Sequence, residues 1–283
     1  MIWLYLVKTY SFIYGVFKST FNVNLRGLGF FLRKIERDYI INVNGKKMYL
    51  NHNVASCYER LISGVYNEPE THIFFEMLMK KSDFNIVFID VGANVGEMIL
   101  DFAGHKKVTQ VFGFEPHPEC AAACELSIGL NNYENVIIKK KALSDKASHI
   151  KFTLNRKSPN ASRISFNERE ECIDVESSTL DTEFPDAIGP AVVLVDVEGG
   201  EPLVLRGGKT FIKENRPLII FEYNNVSRKF FNLNEMRTIL GANYYIFRLR
   251  ADGYLDREFE NTWNCVAVDA DSPFYEAIKL LLV

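Results

Sequence analysis

Five apolar runs separated by helix-like stretches constrain the fold of this chain more than any other feature of its sequence. Most of the runs are continuous rather than alternating, which is typical of parallel strands buried on both faces. Strands that alternate with helices in this way predict an α/β fold, with one sheet covered by helices on both faces. The runs are NIVFID (85–90), VTQVFGFE (108–115), NVIIKKKAL (135–143), AVVLVDVE (191–198) and RPLIIFEY (216–223). The helix-like stretches include Glu97 to His105, Pro118 to Leu130 and Glu201 to Asn215.

An N-terminal segment of different character precedes this alternating region. In the stretch YIINVNGKKMYLNH, Asn44 and Gly45 join two β-like arms, which is a strong signal for a hairpin. We therefore predict an N-terminal cap of mixed α and β structure over residues 1–75. The main domain is then expected to cover residues 76–283.

Two parts of the main domain depart from the strand and helix rhythm. Residues 144–184 contain two short strands around a polar loop, which indicates either a lid or binding loop, or an ordinary surface excursion. Asn160 and Arg163 in this loop are candidates to contact an acceptor, although solvated loop residues are the commoner case. The tail contains two further strands joined through Asp252-Gly253, and we expect an antiparallel pair that finishes the sheet.

The composition is that of a folded protein that lacks disulfides. The chain is 47% hydrophobic and 24% charged, which excludes intrinsic disorder as its general state. Its five cysteines include no C-x-x-C pair, which favours reduced thiols and a cytoplasmic location. Cys120 and Cys124 lie four residues apart on a predicted helix, but two soft ligands without a nearby histidine make a poor metal site.

Basic residues are concentrated at the N-terminus. Residues 1–50 hold eight Lys and Arg against two acids, so 25 of the 33 bases and 34 of the 36 acids follow later. The polar residues of segment 1–22 are spaced so that they form one narrow stripe on a helix. Two lysines interrupt its apolar residues too early for a membrane span, which needs about 20 apolar residues. The segment either lies on the inner face of a membrane, or packs on the main domain or on the partner in a homodimer.

Carboxylates follow the predicted strands at the positions where each strand ends. These residues are Asp90, Glu115, Asp196, Glu198 and Glu222. Ligands of open α/β sheets bind beyond the carboxyl ends of the strands, so these side chains are expected to line one site. Such a row of acids repels a diphosphate and attracts a cation.

The turn after the first predicted strand, FIDVGANVGEMI, indicates what kind of cation would bind. Gly92 and Gly96 permit a tight turn into a helix, and Asn94 tolerates unusual backbone angles and offers an amide. Glu115 ends the next strand, where its carboxylate could accept both hydroxyls of a ribose. The spacing G-x-G-x-x-G of dinucleotide sites is missing. The sequence therefore favours S-adenosylmethionine, a nucleoside that carries a sulfonium, over NAD.

Longer motifs resemble those of one family of enzymes. The stretches FIDVGANVGE, VFGFEPHPE, KALSD and VDVEGGEPLVLRGGKTFIKENRPLIIFEY, preceded by YNEPET at 66–71, are similar to motifs of the FkbM family of S-adenosylmethionine-dependent O-methyltransferases. The resemblance covers residues 66 to about 223. It implies a Rossmann-like sheet of seven strands with the last strand antiparallel, and transfer of a methyl group to a hydroxyl of a sugar, glycan or related acceptor. Gly200 departs from the family pattern, in which alanine or another small residue is usual.

The resemblance also implies the positions of the methyl donor. The family motifs place its amino acid end at Asp90, Gly92, Asn94 and Gly96, and its ribose at Glu115. Its adenine is implied near Ala142, Leu143 and Asp145.

A base must take the proton of the acceptor hydroxyl as the methyl group is transferred. Asp196 is predicted to lie nearest the methyl group, with Glu198 or Glu222 as the base, and His117 is a weaker candidate. These carboxylates could instead hold Mg²⁺, which would lower the pKa of the acceptor hydroxyl. Nothing in the spacing requires a metal, and no metal ligands are assigned.

Two other classes of function stay open at this point. A non-catalytic module that docks on membranes or a partner would not need acids at every strand end. An NAD-dependent sugar-nucleotide enzyme would have a third glycine where Met98 or Ile99 stands. Nucleic acid is not expected as a substrate, because the main domain is acidic and lacks a basic face with aromatic residues.

Overall fold

A computed structural model describes residue 9 and residues 38–52, 66–153 and 172–283. The predicted N-terminal helix, apart from residue 9, and the loop residues Asn160 and Arg163 lie outside these ranges. No helix within the described ranges combines the length and the apolar character needed to cross a bilayer.

The described elements alternate along the chain as the apolar runs predict. The strands are β1 (Tyr39–Val43), β2 (Lys46–Leu50), β3 (Ile86–Val91), β4 (Val108–Phe114), β5 (Val136–Lys139), β6 (Ala142–Leu143), β7 (Ser148–Thr153), β8 (Cys172–Ser178), β9 (Ala191–Val195), β10 (Leu218–Glu222), β11 (Tyr244–Leu249), β12 (Leu255–Asp256) and β13 (Asn264–Asp269). The helices are α1 (Pro69–Lys81), α2 (Glu97–Ala103), α3 (Pro118–Asn131), α4 (Leu180–Glu183), α5 (Glu201–Arg206), α6 (Lys209–Asn215), α7 (Leu233–Leu240) and α8 (Tyr275–Lys279), with a short 3₁₀ helix at Ser227–Lys229.

The large sheet has eight strands in the order β12-β11-β13-β10-β9-β3-β4-β5. Strand β13 is antiparallel to both of its neighbours, whereas β3, β4, β5, β9 and β10 are mutually parallel. The prediction of an antiparallel strand near the end of the chain is confirmed. The prediction of seven strands is wrong by one, because the two-residue strand β12 pairs with the outer edge of β11.

Hydrophobic cores lie on both faces of this sheet, as the continuous apolar runs predict. Neighbouring residues of a strand point to opposite faces. Phe88 therefore packs in the core formed with α1, α2 and α3, while Ile89 packs in the core formed with α5, α6 and α7. The central strands β9 and β10 are buried at every position.

Three local predictions need correction. The stretch Glu201 to Asn215 forms two helices rather than one, because the helix is interrupted at Gly207-Gly208. The backbone passes so close to Ser144 there that a Cβ on Gly207 would overlap the Ser144 carbonyl oxygen. The run 135–143 divides into β5 and β6, and β6 joins β7 and β8 in a separate sheet of three strands. The turn at Asp252-Gly253 leads into β12, and β13 then inserts between β10 and β11.

The predicted hairpin at Asn44-Gly45 is confirmed. Both residues have positive φ, 48° and 83°, as this kind of tight turn requires. The hairpin contacts the main domain, since the Tyr49 N–H donates to Ser127 Oγ at 2.9 Å.

Helix α1 runs across position 75, where we predict the border between cap and main domain. Whether the first 75 residues form a separate unit stays a prediction.

Strand register brings the carboxyl ends of four strands into one row. Val91 of β3 is opposite both Phe114 of β4 and Val195 of β9, and Val195 is opposite Phe221 of β10. The residues that end or follow these strands therefore lie side by side at one edge of the sheet.

Candidate active site

A cleft of about 330 Å³ opens at this edge of the sheet. Seven carboxylate residues line it, and none of its described lining residues is Lys, Arg or His. We call it the acidic cleft. Its carboxylate residues are Glu68, Asp90, Glu97, Glu115, Asp196, Glu198 and Glu222.

Nine of the predicted site residues line the acidic cleft together. They are Asp90, Gly92, Asn94, Glu115, Ala142, Leu143, Asp196, Glu198 and Glu222. Two others lie outside it. Asp145 is exposed, and Gly96 faces α3, where a Cβ would lie 2.5 Å from Cys124 Sγ. Gly96 thus allows α2 and α3 to pack closely, whichever ligand the cleft holds.

Gly92 allows two strand ends to meet at the floor of the cleft. It follows β3 with a φ of 94°, and a Cβ built there would overlap the backbone carbonyl oxygen of Asp196. Any larger residue would push the ends of β3 and β9 apart. Asn94, two residues later, also has a positive φ of 51°.

Glu115 organises the turn that follows β3. Its Oε2 accepts a hydrogen bond from the Asn94 N–H at 2.7 Å, and its Oε1 accepts one from the His117 N–H at 2.6 Å. A carboxylate has about four acceptor positions, so both oxygens can also accept from a ligand's hydroxyls. Burial raises the pKa of Glu115 to about 7, although the two backbone hydrogen bonds oppose this shift.

Asp90 is the most enclosed carboxylate of the cleft, with 2% of its surface exposed. Burial, then repulsion from Glu115, Glu68 and Glu97, raises its pKa to about 8. A neighbouring positive charge would reverse this shift, because it favours the ionised carboxylate. The negative charge of the cleft would therefore be neutralised either by protons or by a bound cation.

The loop after β9 carries Asp196 and Glu198 in a constrained conformation. Glu198 has a φ of 54°, in the left-handed region that costs a residue with a side chain about 1 kcal/mol or more. Glu201, fully buried at the start of α5, holds this loop through Oε1, which accepts from the N–H groups of Val197 at 3.1 Å and Gly199 at 3.2 Å. The two hydrogen bonds to Glu201 thus hold the residues on either side of Glu198 and keep it in this strained conformation.

Glu222 ends β10 beside this loop. Its Oε1 accepts a hydrogen bond from Asn224 Nδ2, while its buried Oε2 has no hydrogen-bond partner among the described residues. Burial, followed by repulsion from Glu198 and Glu201, raises the pKa of Glu222 to about 9. Burial and the neighbouring Glu222 also raise the pKa of Asp196 well above its ordinary value.

Residues that the sequence did not single out complete the cleft. Glu97 accepts from the backbone N–H of Asn67 at 2.8 Å and from its Nδ2 at 2.7 Å, which fixes the segment before α1 against α2. Glu68 Oε2 accepts from Asn264 Nδ2 at 2.6 Å, a contact between residues 196 positions apart. For the segment before α1, which carries Asn67 and Glu68, the sequence signal was the motif YNEPET.

Aromatic side chains stand at two places in the cleft. Trp263 lines it with 53% of its surface exposed, next to Asn264, which pairs with Glu222 across the sheet. Phe152 enters from the small sheet, near Ala142 and Leu143. No periodicity in the sequence marked either residue as part of a site.

His117, the weaker candidate for the base, lies outside the acidic cleft. It precedes α3 and is buried. Burial lowers the pKa of His117, which favours the neutral imidazole.

A family profile shows that this chain contains a methyltransferase domain. The profile, described as Methyltransferase FkbM domain, matches residues 90–253, more than half of the chain. Similar solved structures include the methyltransferase FkbM from Methylobacillus flagellatus KT, with 15% identity, a TM-score of 0.46, and coverage of 77% of this chain and 55% of that one. This chain thus spans about half the length of that protein.

Another similar structure is TYW2 of M. jannaschii in complex with AdoMet, with 12% identity, a TM-score of 0.43, and coverage of 87% of this chain and 88% of that one. An rRNA methylase from Streptococcus thermophilus has 10% identity, a TM-score of 0.39, and coverage of 70% and 93%. These similarities are too remote to assign a substrate. No curated protein sequence matches significantly.

Proposed function

This chain belongs to the FkbM methyltransferase family, and from that premise we propose that it transfers the methyl group of S-adenosylmethionine to a hydroxyl of a sugar, glycan or related small molecule. The observation that carries the proposal is the charge of the acidic cleft. Seven carboxylates face a space in which no described lining residue is basic. S-adenosylmethionine brings a sulfonium and an ammonium group, which would compensate part of this charge.

The residues around β3 and β4 would hold the donor. Asp90 would face its ammonium group, and the turn at Gly92 would leave room for the amino acid end. Glu115 would accept hydrogen bonds from the ribose hydroxyls, because its two oxygens lie at the end of β4 with acceptor capacity left. Ala142, Leu143 and Phe152 would contact the adenine as an apolar surface.

The transfer itself is a displacement at carbon. A lone pair of the acceptor oxygen forms the new C–O bond while the C–S bond breaks and its electrons return to sulfur. The sulfonium becomes the neutral thioether of S-adenosylhomocysteine, and the hydroxyl proton leaves to a base. Holding oxygen, methyl carbon and sulfur in line supplies much of the rate enhancement.

Asp196, Glu198 and Glu222 are the groups that would accept this proton. They lie together at the ends of β9 and β10, beside the proposed position of the methyl group. A carboxylate with a raised pKa is a stronger base once it is ionised, and the positive charge of the bound donor would favour the ionised form. Glu222 and Asp196 both have raised pKa values.

Calorimetry with the full chain tests the donor proposal. S-adenosylmethionine and S-adenosylhomocysteine should bind with one site, whereas NAD should not bind. Binding of NAD instead would favour a sugar-nucleotide oxidoreductase. Failure of all three to bind would favour a non-catalytic docking module.

The acceptor can be sought by comparing cells that contain this protein with cells that lack it. Mass spectrometry of their glycans should show a loss of 14 mass units, one methylene, in some species when the protein is absent. The same glycans from the deficient cells, supplied with purified protein and labelled S-adenosylmethionine, should accept the labelled methyl group. Labelling of a nitrogen or carbon atom would overturn O-methylation while leaving methyl transfer in place.

A further inference from the structure

Three carboxylates converge where β9 and β10 end. One carboxylate oxygen from each of Asp196, Glu198 and Glu222 lies within 4.8 Å of the others. The two strands are neighbours in the sheet, with Val195 opposite Phe221, so the backbone fixes the spacing of these side chains. Three carboxylates this close repel one another when they are ionised, so either protons or a bound cation must reduce their charge.

Glu222 has an oxygen available for a ligand. The residue is 4% exposed, and its Oε1 is occupied by Asn224, but its buried Oε2 has no partner among the described residues. Buried polar atoms almost always have a hydrogen-bond or metal partner. Because Glu222 also lines the acidic cleft, the missing partner is expected to come from the cleft.

The protein itself supplies no cation at this place in its described part. No described lining residue of the acidic cleft is basic. Arg228 is close along the chain, but its Nη2 donates to the carbonyl oxygen of Phe259 and its guanidinium stacks over the ring of Tyr223, 4.6 Å from the centroid. It is therefore engaged by other groups.

We propose that Asp196, Glu198 and Glu222 bind one hard divalent cation, of the class of Mg²⁺, Mn²⁺ or Ca²⁺. The ligand set consists only of carboxylate oxygens, which such cations prefer, whereas Zn²⁺ favours sites with nitrogen or sulfur ligands. Three protein residues leave coordination positions for water and for one more oxygen. The cation would also give Glu222 Oε2 its partner.

The role of this cation in turnover rests on the proposed methyl transfer. The remaining coordination position would bind the acceptor hydroxyl and lower its pKa, so that the proton leaves more readily to water or to a carboxylate oxygen that does not bind the cation. The C–O bond would then form and the C–S bond break as described above. Without the cation, the hydroxyl would keep its ordinary pKa, and turnover would be slower.

Binding of Mn²⁺ to the full chain, stripped of metals with EDTA and dialysed, tests the site directly. Electron paramagnetic resonance of free Mn²⁺ should show one bound ion per chain, displaced by excess Mg²⁺ or Ca²⁺. Glu222→Gln and Glu198→Gln should each weaken binding about tenfold or more, since loss of groups that merely support metal ligands already costs about 10–100-fold. Glu198 is partly exposed, so its variant should fold even if that of Glu222 does not.

Glu68→Gln is the matched control. It removes one charge from the same cleft, but Glu68 is not among the three converging residues. Its Mn²⁺ affinity should fall clearly less than that of Glu198→Gln, because Glu68 would act on the cation only through its charge and not as one of the three converging ligands. An equal loss in this variant would mean that the cleft attracts cations without a defined site, and would overturn the proposal.

Two outcomes separate this proposal from the proposed function. If the wild type binds S-adenosylmethionine in EDTA but takes up no Mn²⁺ at millimolar concentration, the cation site is refuted and methyl transfer is untouched. If Mn²⁺ binds with the expected pattern but S-adenosylmethionine does not bind with or without it, the proposed function fails while the cation site stands.

Discussion

Gly92 and Asp196 lie so close that a Cβ on residue 92 would overlap the backbone carbonyl oxygen of Asp196. The two residues follow β3 and β9, which pair in parallel. This contact places the turn proposed to hold the donor directly beside the carboxylates proposed to serve the acceptor. The missing side chain at position 92 therefore determines how closely the two halves of the cleft approach.

Gly92→Ala should separate these strand ends. We expect S-adenosylmethionine affinity to fall about tenfold or more, and the free energy of unfolding to drop by about 1–3 kcal/mol from overpacking beyond the cost of its positive φ. Calorimetry and urea melts measure the two effects. Gly189→Ala is the control, since Gly189 has a similar φ of 85° but no atom within 4 Å of the added Cβ, and it should cost only about 1–2 kcal/mol without loss of affinity. Equal effects in both variants would contradict this interpretation.

Glu201→Ala should loosen the loop that carries Asp196 and Glu198. It leaves the N–H groups of Val197 and Gly199 without their acceptor, at a cost of about 1–3 kcal/mol. We expect kcat to fall about tenfold or more while donor affinity changes less than about threefold, because Glu201 acts on the loop and does not line the cleft. Glu201→Gln keeps an acceptor oxygen and should restore most of kcat. Failure of this rescue would mean that the charge of Glu201 matters, not its hydrogen bonds.

Stability of the unliganded protein should fall as pH rises from about 5 to about 8. The pKa of Asp90 is about 8 in the folded protein, against an ordinary value of 3.8. Between these two pH values the folded state binds more protons than the unfolded state. The free energy of unfolding therefore decreases as the pH rises. Urea melts across this range measure the slope.

Asp90→Asn should reduce this pH dependence, whereas Asp83→Asn, at an exposed position before β3, should leave it unchanged. Saturating S-adenosylmethionine should also reduce the slope, because a bound cation stabilises the ionised carboxylates. A slope that is unchanged in Asp90→Asn would assign the whole effect to the other acids of the cleft.

Trp263→Ala should affect the acceptor more than the donor. Trp263 is exposed at the cleft, next to the strand position that pairs with Glu222. If its ring stacks on the acceptor, its loss should raise the acceptor KM about tenfold, while kcat and donor affinity stay within about twofold. Tyr254→Ala, an exposed aromatic residue away from the cleft, is the control and should leave all three values unchanged. A fall in kcat alone would contradict acceptor stacking.

Deletion of residues 1–22 should reduce binding to vesicles that contain anionic lipid. The segment combines apolar residues with Lys8 and Lys18, and each basic residue near such a surface contributes about 1 kcal/mol. Sedimentation with vesicles of neutral and of mixed anionic lipid measures the effect, and Lys8→Gln with Lys18→Gln should reproduce the anionic part of it. Unchanged sedimentation would favour packing of this segment on protein, and a change in oligomeric state on deletion would favour a homodimer.

The local and periodic features of this protein could be predicted from its sequence. Continuous apolar runs predicted the buried parallel strands, and the hairpin at Asn44-Gly45 followed from two residues that accept positive φ. The helix break at Gly207-Gly208 could not be predicted in this way. It depends on the approach of Ser144 and Leu180, which are distant in sequence.

The sequence by itself determined which residues end the strands, because a carboxylate that follows an apolar run can be recognised from the run alone. Only the tertiary structure decided which of these ends are neighbours. The strand order brings Asp90, Glu115, Asp196 and Glu222 to one edge, and it also brings Glu68 to Asn264 across 196 positions. The physical reason is that strand pairing is selected by burial of both faces of the whole sheet, a property that no local stretch of the chain contains.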